Sequence, residues 1–216
     1  MPAPDPSPFE HLITSRDALR ALVPEPSALV VNKVVDHLDR HAKAFLEMSP
    51  YVVLASSDAA GRCDSSPRGG APGFIRVVDD RHLFIPEVTG NRRNDTLLNV
   101  MERPAIGLLA MIPGLDETLR INGRAWVVAD PALLAACAHA GKVPVVGLGI
   151  RVEECYLHCA KSGRRSALWN PDAWPDPGRL PNPAEILRDH TRGQEGDGTV
   201  EHMAEVLRDS YTNRMY

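Results

Sequence analysis

The sequence predicts a mostly β fold, an antiparallel barrel with helices around it. Two observations support this class. About six or seven strand-like segments follow one another between residues 51 and 159, and several are joined by short turns. Only two helical segments interrupt the series, whereas a doubly wound α/β fold would alternate strands and helices steadily. Antiparallel strands linked by short turns are typical of barrels.

Two helices are predicted before the first strand. Residues 14–23 indicate a short helix, with Thr14 or Ser15 as its N-cap. Residues 25–49 predict one longer helix, because apolar residues recur there in part at helical spacing. Pro26 is tolerated in the first turn of such a helix.

The first strands are predicted as a hairpin and a second hairpin separated by a glycine-rich segment. Residues 51–57 and 63–67 read as strands on either side of a turn. Residues 68–74 contain too much glycine for regular structure, so their backbone is expected to approach another group closely. Residues 74–80 and 81–88 then form a hairpin around Asp79, Asp80 and Arg81.

The second half repeats the strand pattern around two helices. A helix capped by Asn91 is predicted to end before Pro104, with Arg92 and Arg93 opening its first turn. Residues 105–113 indicate a buried strand, and residues 117–130 alternate apolar and polar side chains. Residues 131–141 predict a helix, residues 144–159 a long strand bent at Gly147 and Gly149, and residues 199–211 a C-terminal helix.

Composition excludes several classes of protein. The net charge is −4 over 216 residues, which argues against nucleic acid as the main partner. The four cysteines are too few for a disulfide scaffold in a chain of this length. The sequence has no apolar run of membrane-spanning length and no signal-peptide pattern at its start. A cytoplasmic protein without a membrane or nucleic-acid partner is therefore expected.

Two adjacent arginines stand where a helix is predicted to begin. A helix N-terminus carries partial positive charge and favours acidic residues, so Arg92 and Arg93 are the wrong charge for that place. Together with exposed N–H groups, two guanidinium groups make a strong oxyanion site. The alternative is that both are solvated or pair with Asp95 or Glu87.

A second anion-binding element precedes the hairpin. The segment "SSPRGGAPG" supplies Arg68, two hydroxyl groups and a flexible backbone. A glycine-rich loop of this kind can wrap a flat ligand or follow phosphate oxygens through its N–H groups. It matches neither GxGxxG nor GxxxxGK[ST], so nucleotide binding by those two motifs is not supported.

Metal and nucleophile patterns are weak. In a strand, Cys155 and Cys159 of "CYLHC" share one face and His158 points to the other, which is poor geometry for one zinc ion. Buried structural cysteines and no metal are expected. Glu153 and Glu154 are adjacent and face opposite ways. No nucleophile–base pattern is found, so the catalytic residues are unknown.

Several motifs occur in one order that resembles a known family. These are "SSPRGGAPGF", "GNRR" and "IPGLDETLRINGRA", with likenesses upstream at "HAKAFLEMSPYVVLASSDAAGR" and downstream at "HCAKSGRRSALWNPDAW". The sequence resembles the pyridoxamine 5'-phosphate oxidase-like, FMN-binding split-barrel proteins, and most closely a subgroup of probable FMN-dependent enzymes with SPRG and GNRR motifs. The resemblance covers about residues 12–175.

The resemblance implies a six-stranded antiparallel split barrel that forms a homodimer with two FMN sites at its interface. In such proteins the basic pair after the strand grips the FMN phosphate, which is Arg92 and Arg93 here. Thr118 falls where a polar residue faces the isoalloxazine, and the partner chain contributes residues after the last strand. The implied cofactor-binding residues are Ser66, Arg68, Gly69, Pro86, Asn91, Arg92, Arg93, Thr118, Lys161, Arg165 and Trp169, with Arg164 as a further candidate.

The function implied is that of an FMN-dependent oxidoreductase acting on a small molecule, with NADH or NADPH as a candidate donor. The alternative is a non-catalytic module that carries or senses FMN, the deazaflavin F420 or haem. Gly73 stands near the place of a second basic residue of true pyridoxamine-phosphate oxidases, and their C-terminal RxH signature is absent, so that reaction is not predicted. Residues 1–48 are predicted as a helical extension, 49–175 as the barrel and 176–216 as a C-terminal extension with a helix.

Overall fold

The computed structural model describes residues 8–88, 90, 92–139 and 141–215. The helices of this part are α1 Arg16–Leu22, α2 Ala28–Asn32, α3 Arg40–Met48, α4 Asp95–Glu102, α5 Pro131–Ala136, α6 Lys161–Ser166, α7 Pro183–His190 and α8 Val200–Asn213. The strands are β1 Tyr51–Ser57, β2 Cys63–Gly69, β3 Arg76–Val77, β4 His82–Pro86, β5 Ala105–Met111, β6 Thr118–Val128 and β7 Gly147–His158. Short 3₁₀ turns cover Pro171–Ala173 and Pro177–Arg179.

The chain divides into two compact units. The first, Met1–Val34, holds α1 and α2. Ser15 caps α1 by accepting a hydrogen bond from the N–H of Ala18 at 3.1 Å, as one of the two predicted caps would. The second unit, Val35–Tyr216, holds the sheet and the remaining helices. The predicted domain limits at residues 48 and 175 stay predictions.

All seven strands of the described residues form one antiparallel sheet in the order β2-β1-β5-β6-β7-β4-β3. This confirms a mostly β fold with peripheral helices. The sheet has one strand more than the predicted six, because the two-residue strand β3 pairs with β4. Its edge strands β2 and β3 do not pair with each other in the described part of the chain. Closure into a barrel and the homodimer stay predictions.

The two ends of the sheet nevertheless approach each other. Arg68 lies in β2, at one edge, and its Nε donates to Glu87 Oε2 at 2.9 Å. Glu87 directly follows β4, which neighbours the other edge strand. The sheet is therefore strongly curved, as a split barrel requires.

The inner face of this curved sheet carries the core. Alternate residues are buried along β1 and β6, as a period of two predicts, among them Val52, Leu54 and Ile121. Helix α3 adds Ala42 and Leu46 to the same apolar cluster. The predicted alternation of residues 117–130 is thereby confirmed.

The single helix predicted over residues 25–49 is wrong. Helix α2 ends at Asn32 and α3 begins at Arg40. Val35 instead forms an antiparallel bridge with Cys155 of β7. Asp39 then starts α3 by accepting a hydrogen bond from the N–H of Ala42 at 2.8 Å. Periodicity alone missed this cap and the β-bridge before it.

The register between β6 and β7 shifts at Asn122–Gly123, opposite Val152 and Glu154. A side chain is excluded at Gly123, because an added Cβ would lie 2.0 Å from the carbonyl oxygen of Arg151. Pairing stays regular through Gly147 and Gly149, where the bend had been predicted. The C-terminal helix is confirmed as α8, and α7 precedes it.

Candidate functional site

A cleft of about 580 Å³ lies where β2, β4 and the start of α4 meet the connection between α5 and β7. It is lined by the SPRG segment, the residues after β4, the start of α4 and the α5–β7 connection. The lining residues are Ser66–Gly69, Glu87, Val88, Gly90, Arg92–Asp95, Leu97, Cys137, His139 and Lys142–Val146.

The start of α4 differs from the prediction. The helix begins at Asp95, three residues later than predicted, because Arg92 and Asn94 have positive φ angles of 62° and 58°. Left-handed residues cannot continue a helix. Arg92 and Arg93 therefore lie in the loop before the helix rather than in its first turn. Asn91, the predicted cap and cofactor ligand, lies outside the described residues.

The start of this helix is not capped by the side chain of its own N-cap residue. The side chain of Asn94, the residue at the N-cap, makes no hydrogen bond to the first turn. The first N–H groups of a helix have no partner within the helix. Backbone N–H groups in this position, next to arginines, are a favourable place for a phosphate.

Buried polar contacts fix α4 against β1 and β2. Thr96 Oγ1 donates to Asp64 Oδ2 at 2.8 Å, and Ser66 Oγ donates to the same atom at 2.9 Å. One turn further on, Asn99 Nδ2 donates to Ser56 Oγ at 3.0 Å. The arginine loop is thus placed beside the SPRG segment by side chains of the core.

The charged groups of the cleft are only partly balanced. Arg68 pairs with Glu87 in a largely buried ion pair, with side chains 13% and 20% exposed. Arg93 Nε donates to Asp95 Oδ2 at 2.7 Å, with Arg93 75% exposed. The pairing with Asp95 considered from the sequence is thus present, but an exposed pair contributes little stability. Two carboxylates against four Lys and Arg side chains leave the lining positively charged.

A smaller pocket of about 180 Å³ adjoins the cleft along the glycine-rich segment. It includes Gly69, Pro86 and Phe74, and it shares Arg68 and Cys137 with the larger cleft. The structure therefore brings together six of the predicted cofactor ligands: Ser66, Arg68, Gly69, Pro86, Arg92 and Arg93.

The remaining predicted ligands lie elsewhere in the chain. Thr118 begins β6 and pairs with His158 at the end of β7, whereas Val128 at the other end of β6 pairs with Gly147, next to the cleft. Eleven strand residues separate those ends by roughly 30 Å along the strand. Near the Thr118 end, Trp169 Nε1 donates to Leu115 O at 3.0 Å. Lys161, Arg165 and Trp169 all follow β7, on this side.

Sequence reasoning missed the cleft wall formed by the α5–β7 connection. Cys137, His139 and Lys142 line the cleft, together with Val143 and Val145. The segment was interpreted as the end of a helix and the start of a strand, and no motif distinguishes it. His139 and Lys142 in this segment are the signal that could have been used.

The cysteines divide between core and surface. Cys155 is buried, as predicted, and burial, with a smaller contribution from the charge of Asp39, raises its pKa to about 11. Cys159 is exposed, so the prediction of burial is wrong for this residue.

In the described part of the chain no group of three or more His, Cys, Asp or Glu side chains could hold a metal ion. None of the described helices combines the length and apolar character needed to cross a bilayer.

The comparison with protein families gives a clear result. The model of the family described as pyridoxamine 5'-phosphate oxidase matches residues 38–159, more than half of the chain. The protein belongs to this family, as the order of its motifs indicated. The match covers α3, all seven strands, α4 and α5.

The solved structures that match the chain are distant from it in sequence. HupZ of Group A Streptococcus is 20% identical, with a TM-score of 0.46, over 55% of this chain and 92% of that chain. The haem storage protein HutZ of Vibrio cholerae is 16% identical, with a TM-score of 0.40, over 56% and 93%. An FAD-binding protein of Mesorhizobium loti is 16% identical, with a TM-score of 0.38, over 58% and 99%. No curated protein matches the chain.

Proposed function

We propose that the protein binds FMN in the cleft at the start of α4 and acts as an FMN-dependent oxidoreductase. One observation carries this proposal. A loop with two arginines precedes a helix whose first N–H groups are left uncapped by Asn94, at the end of a cleft of about 580 Å³. Membership of the family supports the same ligand.

The residues present fit a phosphorylated, planar cofactor. Arg92 and Arg93 would hold the phosphate, because guanidinium groups bind phosphate oxygens in pairs. The SPRG segment, with Ser66 and Gly69, would lie along the rest of the molecule. When bound, FMN supplies the redox chemistry, while the protein supplies position and electrostatics.

Arg68 is suited to a different task from the arginine pair. Its Nε donates to Glu87 and its Nη1 to the carbonyl of Pro67, so the guanidinium is fixed in one orientation. We expect it to donate from its remaining N–H groups to the cofactor and to keep positive charge beside it. Pairing with Glu87 lowers the net charge that Arg68 contributes, so the phosphate is drawn to Arg92 and Arg93.

A second copy of the chain would complete the site. Thr118, Lys161, Arg165 and Trp169 lie at the far end of β6 and β7 within one chain, so a homodimer could bring them to the cleft of the partner. The outer face of β1 and β5 supports a dimer. Tyr51 pairs there with Met111 and Val53 with Leu109, and Tyr51 is 42% exposed.

The test is the affinity for FMN of an Arg92→Ala, Arg93→Ala variant. We expect a loss of about 100-fold or more, because charge-assisted hydrogen bonds to phosphate are lost, with an unchanged circular dichroism spectrum. Arg179→Ala, an exposed change outside the cleft, serves as the control. Unchanged FMN affinity in the double variant would reject the site. Bound FMN that neither NADH nor NADPH reduces would favour a carrier or sensor over an enzyme.

A further inference from the structure

Three polar side chains form a row on one face of β2. Asp64, Ser66 and Arg68 are half-buried, whereas the residues that alternate with them along the strand are exposed. Side chains two residues apart on a strand point to the same face of the sheet. We call Asp64, Ser66 and Arg68 the polar row. Ser66 and Arg68 line the cleft, so the row runs along it.

The hydroxyl proton of Ser66 is held by Asp64. Ser66 Oγ donates to Asp64 Oδ2 at 2.9 Å and to Asp64 Oδ1 at 3.1 Å. Asp64 is itself fixed to α4, because Thr96 Oγ1 donates to its Oδ2 at 2.8 Å. A hydroxyl group has one proton to donate and two lone pairs with which to accept. No described residue donates to Ser66 Oγ, so Ser66 offers the cleft a hydrogen-bond acceptor and no donor.

Arg68 offers the opposite polarity two residues further along the row. Its Nε donates to Glu87 Oε2 and its Nη1 to the carbonyl of Pro67, both at 2.9 Å. A guanidinium group carries five N–H donors and no acceptor. The other N–H groups of Arg68 make no hydrogen bond to a described residue. The polar row thus presents an acceptor at Ser66 and donors at Arg68.

A ligand edge with an N–H group next to a carbonyl group matches this pair. Its N–H donates to the acceptor, and its carbonyl oxygen accepts from the donor. The flavin ring has an N–H between two carbonyl groups, the deazaflavin F420 shares this imide, and haem lacks it. An ionised carboxylate has only acceptor oxygens, so it would meet the lone pairs of Ser66. The polar row therefore favours a neutral imide over an anion.

We propose that Ser66, with its proton held by Asp64, accepts a hydrogen bond from the imide N–H of the flavin ring, and that Arg68 donates to the neighbouring carbonyl. Ser66 is then a residue that determines specificity, and Asp64 is a positioning residue. This inference rests on the proposed function, in which Arg92 and Arg93 hold the phosphate. It adds a requirement for an imide, which phosphate binding does not impose.

The experiment compares riboflavin with 3-methylriboflavin, in which a methyl group replaces the proton of the imide N–H. Quenching of flavin fluorescence gives both dissociation constants for the whole protein. We expect the parent protein to bind riboflavin about tenfold more tightly, because the methylated ring leaves Ser66 without a donor. Ser66→Ala should weaken riboflavin about five- to tenfold and leave 3-methylriboflavin within about twofold, since only riboflavin loses a hydrogen bond.

Asp64→Asn tests whether the carboxylate sets the polarity of Ser66. An asparagine amide can donate to Ser66 Oγ and still accept from Thr96, which releases the hydroxyl proton toward the ligand. The preference for riboflavin over 3-methylriboflavin should then fall about as far as in Ser66→Ala. The ratio of FMN to riboflavin affinity should not change, because the phosphate is bound by other residues. A loss of structure alone would not separate these two ratios.

Two further variants serve as matched controls. Ser66→Thr keeps the hydroxyl group and should keep the preference. Ser65→Ala removes the exposed serine on the opposite face of β2 and should leave both dissociation constants unchanged. Equal binding of riboflavin and 3-methylriboflavin by the parent protein would overturn the inference. Unchanged riboflavin affinity in Ser66→Ala, with tighter binding of 3-methylriboflavin, would also overturn it, because the preference would then come from steric fit.

The two proposals fail separately. If FMN affinity does not depend on Arg92 and Arg93 but the preference for riboflavin depends on Ser66, the polar row stands and the phosphate site is wrong. If FMN affinity depends on both arginines and the two riboflavins bind equally, the phosphate site stands and the role of the polar row is wrong. A parent protein that binds no flavin would reject both.

Discussion

At the scale of single residues, the three arginines of the cleft differ in how firmly they are held. Arg68 is 13% exposed and bonded to Glu87, whereas Arg93 is 75% exposed and bonded to Asp95. A buried arginine with two fixed partners keeps its orientation whether or not a ligand is present. An exposed one can exchange a carboxylate for a phosphate at little cost, because exposed ion pairs are weak. The cleft thus combines a fixed cation with adaptable ones.

The thiols allow a prediction at the same scale. Cys63 and Cys159 are exposed and should react quickly with a thiol reagent such as DTNB at pH 8. Cys155 is buried and its pKa is raised to about 11, so little thiolate forms and it should not react until the protein unfolds. Mass spectrometry of the modified peptides measures this. Rapid native labelling of Cys155 would contradict its position in the core.

Sequence motifs predicted some of the residues that line the cleft and missed others. Arg68, Arg92 and Arg93 could be predicted, because each lies in a short motif with several glycines or a predicted helix start beside it. Lys142 could not, because the α5–β7 connection carries no periodic pattern and only the fold brings it to the cleft. The partner of Glu87 could not be predicted either. Arg92 and Arg93 lie nearer to Glu87 in sequence than Arg68 does, yet the curvature of the sheet brings Arg68 to Glu87 across 19 residues.

At the scale of elements, α4 holds the arginine end of the cleft in place. Its first turn is bonded to β2 through Thr96 and Asp64, and its second to β1 through Asn99 and Ser56. Leu97 and Val100 bury the same face in the core. The loop with Arg92 and Arg93 is therefore attached to a helix that cannot shift without breaking buried hydrogen bonds.

Thr96→Val tests this anchor. Thr96 is 1% exposed, and valine keeps its volume while removing the hydroxyl that donates to Asp64. We expect the free energy of unfolding to fall by about 1–3 kcal/mol, since the lost hydrogen bond joins a hydroxyl and a carboxylate. Thr212→Val, on the exposed face of α8, is the control and should change stability by less than about 0.5 kcal/mol. Equal denaturation midpoints for the two variants would show that the contact does not anchor α4.

Strand β6 was predictable from sequence because its apolar and polar residues alternate and one face is buried, whereas β5, predicted as a buried strand from its apolar run, is fully buried on one face only. The bounds of the helices were harder to predict from sequence. The pattern across residues 25–49 continues through Val34 and Val35, yet the backbone of Val35 pairs with Cys155 of β7 and Asp39 restarts a helix. Similarly, nothing local shows that Arg92 and Asn94 adopt left-handed backbone conformations. In the first case a contact distant in sequence overrides a local pattern.

At the scale of the whole molecule, the curved sheet leaves an outer face that is half-buried rather than fully exposed along β5. Gly107, Leu109 and Met111 alternate there with the core residues Leu108 and Ala110. Such a face on a curved sheet suits a second copy of the chain. In the proposed dimer, this outer face of β5 would pack against the partner chain, and the partner's residues near Thr118 would reach the cleft.

Leu109→Asp tests the dimer. A carboxylate in the middle of this face should disrupt an apolar interface, because an unpaired charge is costly to bury. We expect sedimentation equilibrium to show a dimer for the parent protein and a monomer for the variant, with FMN affinity reduced in parallel. Val206→Asp on α8 serves as the control. A parent protein that sediments as a monomer with full FMN affinity would refute a shared site.

We expect the turn between β3 and β4 to contribute to the change of stability at acid pH. The pKa of Asp80 is lowered by its hydrogen bond from Lys43, and that of Asp79 by the N–H of Arg81 and then by His82. A lowered folded-state pKa adds stability above the unfolded pKa, and this is lost as pH falls through the folded value, below about pH 4. When the pH falls from 5 to 3, the denaturation midpoint of the Asp80→Asn variant should therefore fall less than that of the parent protein. Equal losses would show that the Lys43 contact does not contribute.

The most direct test of the central claim compares FMN with riboflavin, which lacks only the phosphate. Quenching of flavin fluorescence gives both dissociation constants for the parent protein. If Arg92, Arg93 and the start of α4 bind the phosphate, FMN should bind at least about 100-fold more tightly than riboflavin, and the difference should shrink with added salt. Equal affinities for FMN and riboflavin, or binding of neither, would contradict the account.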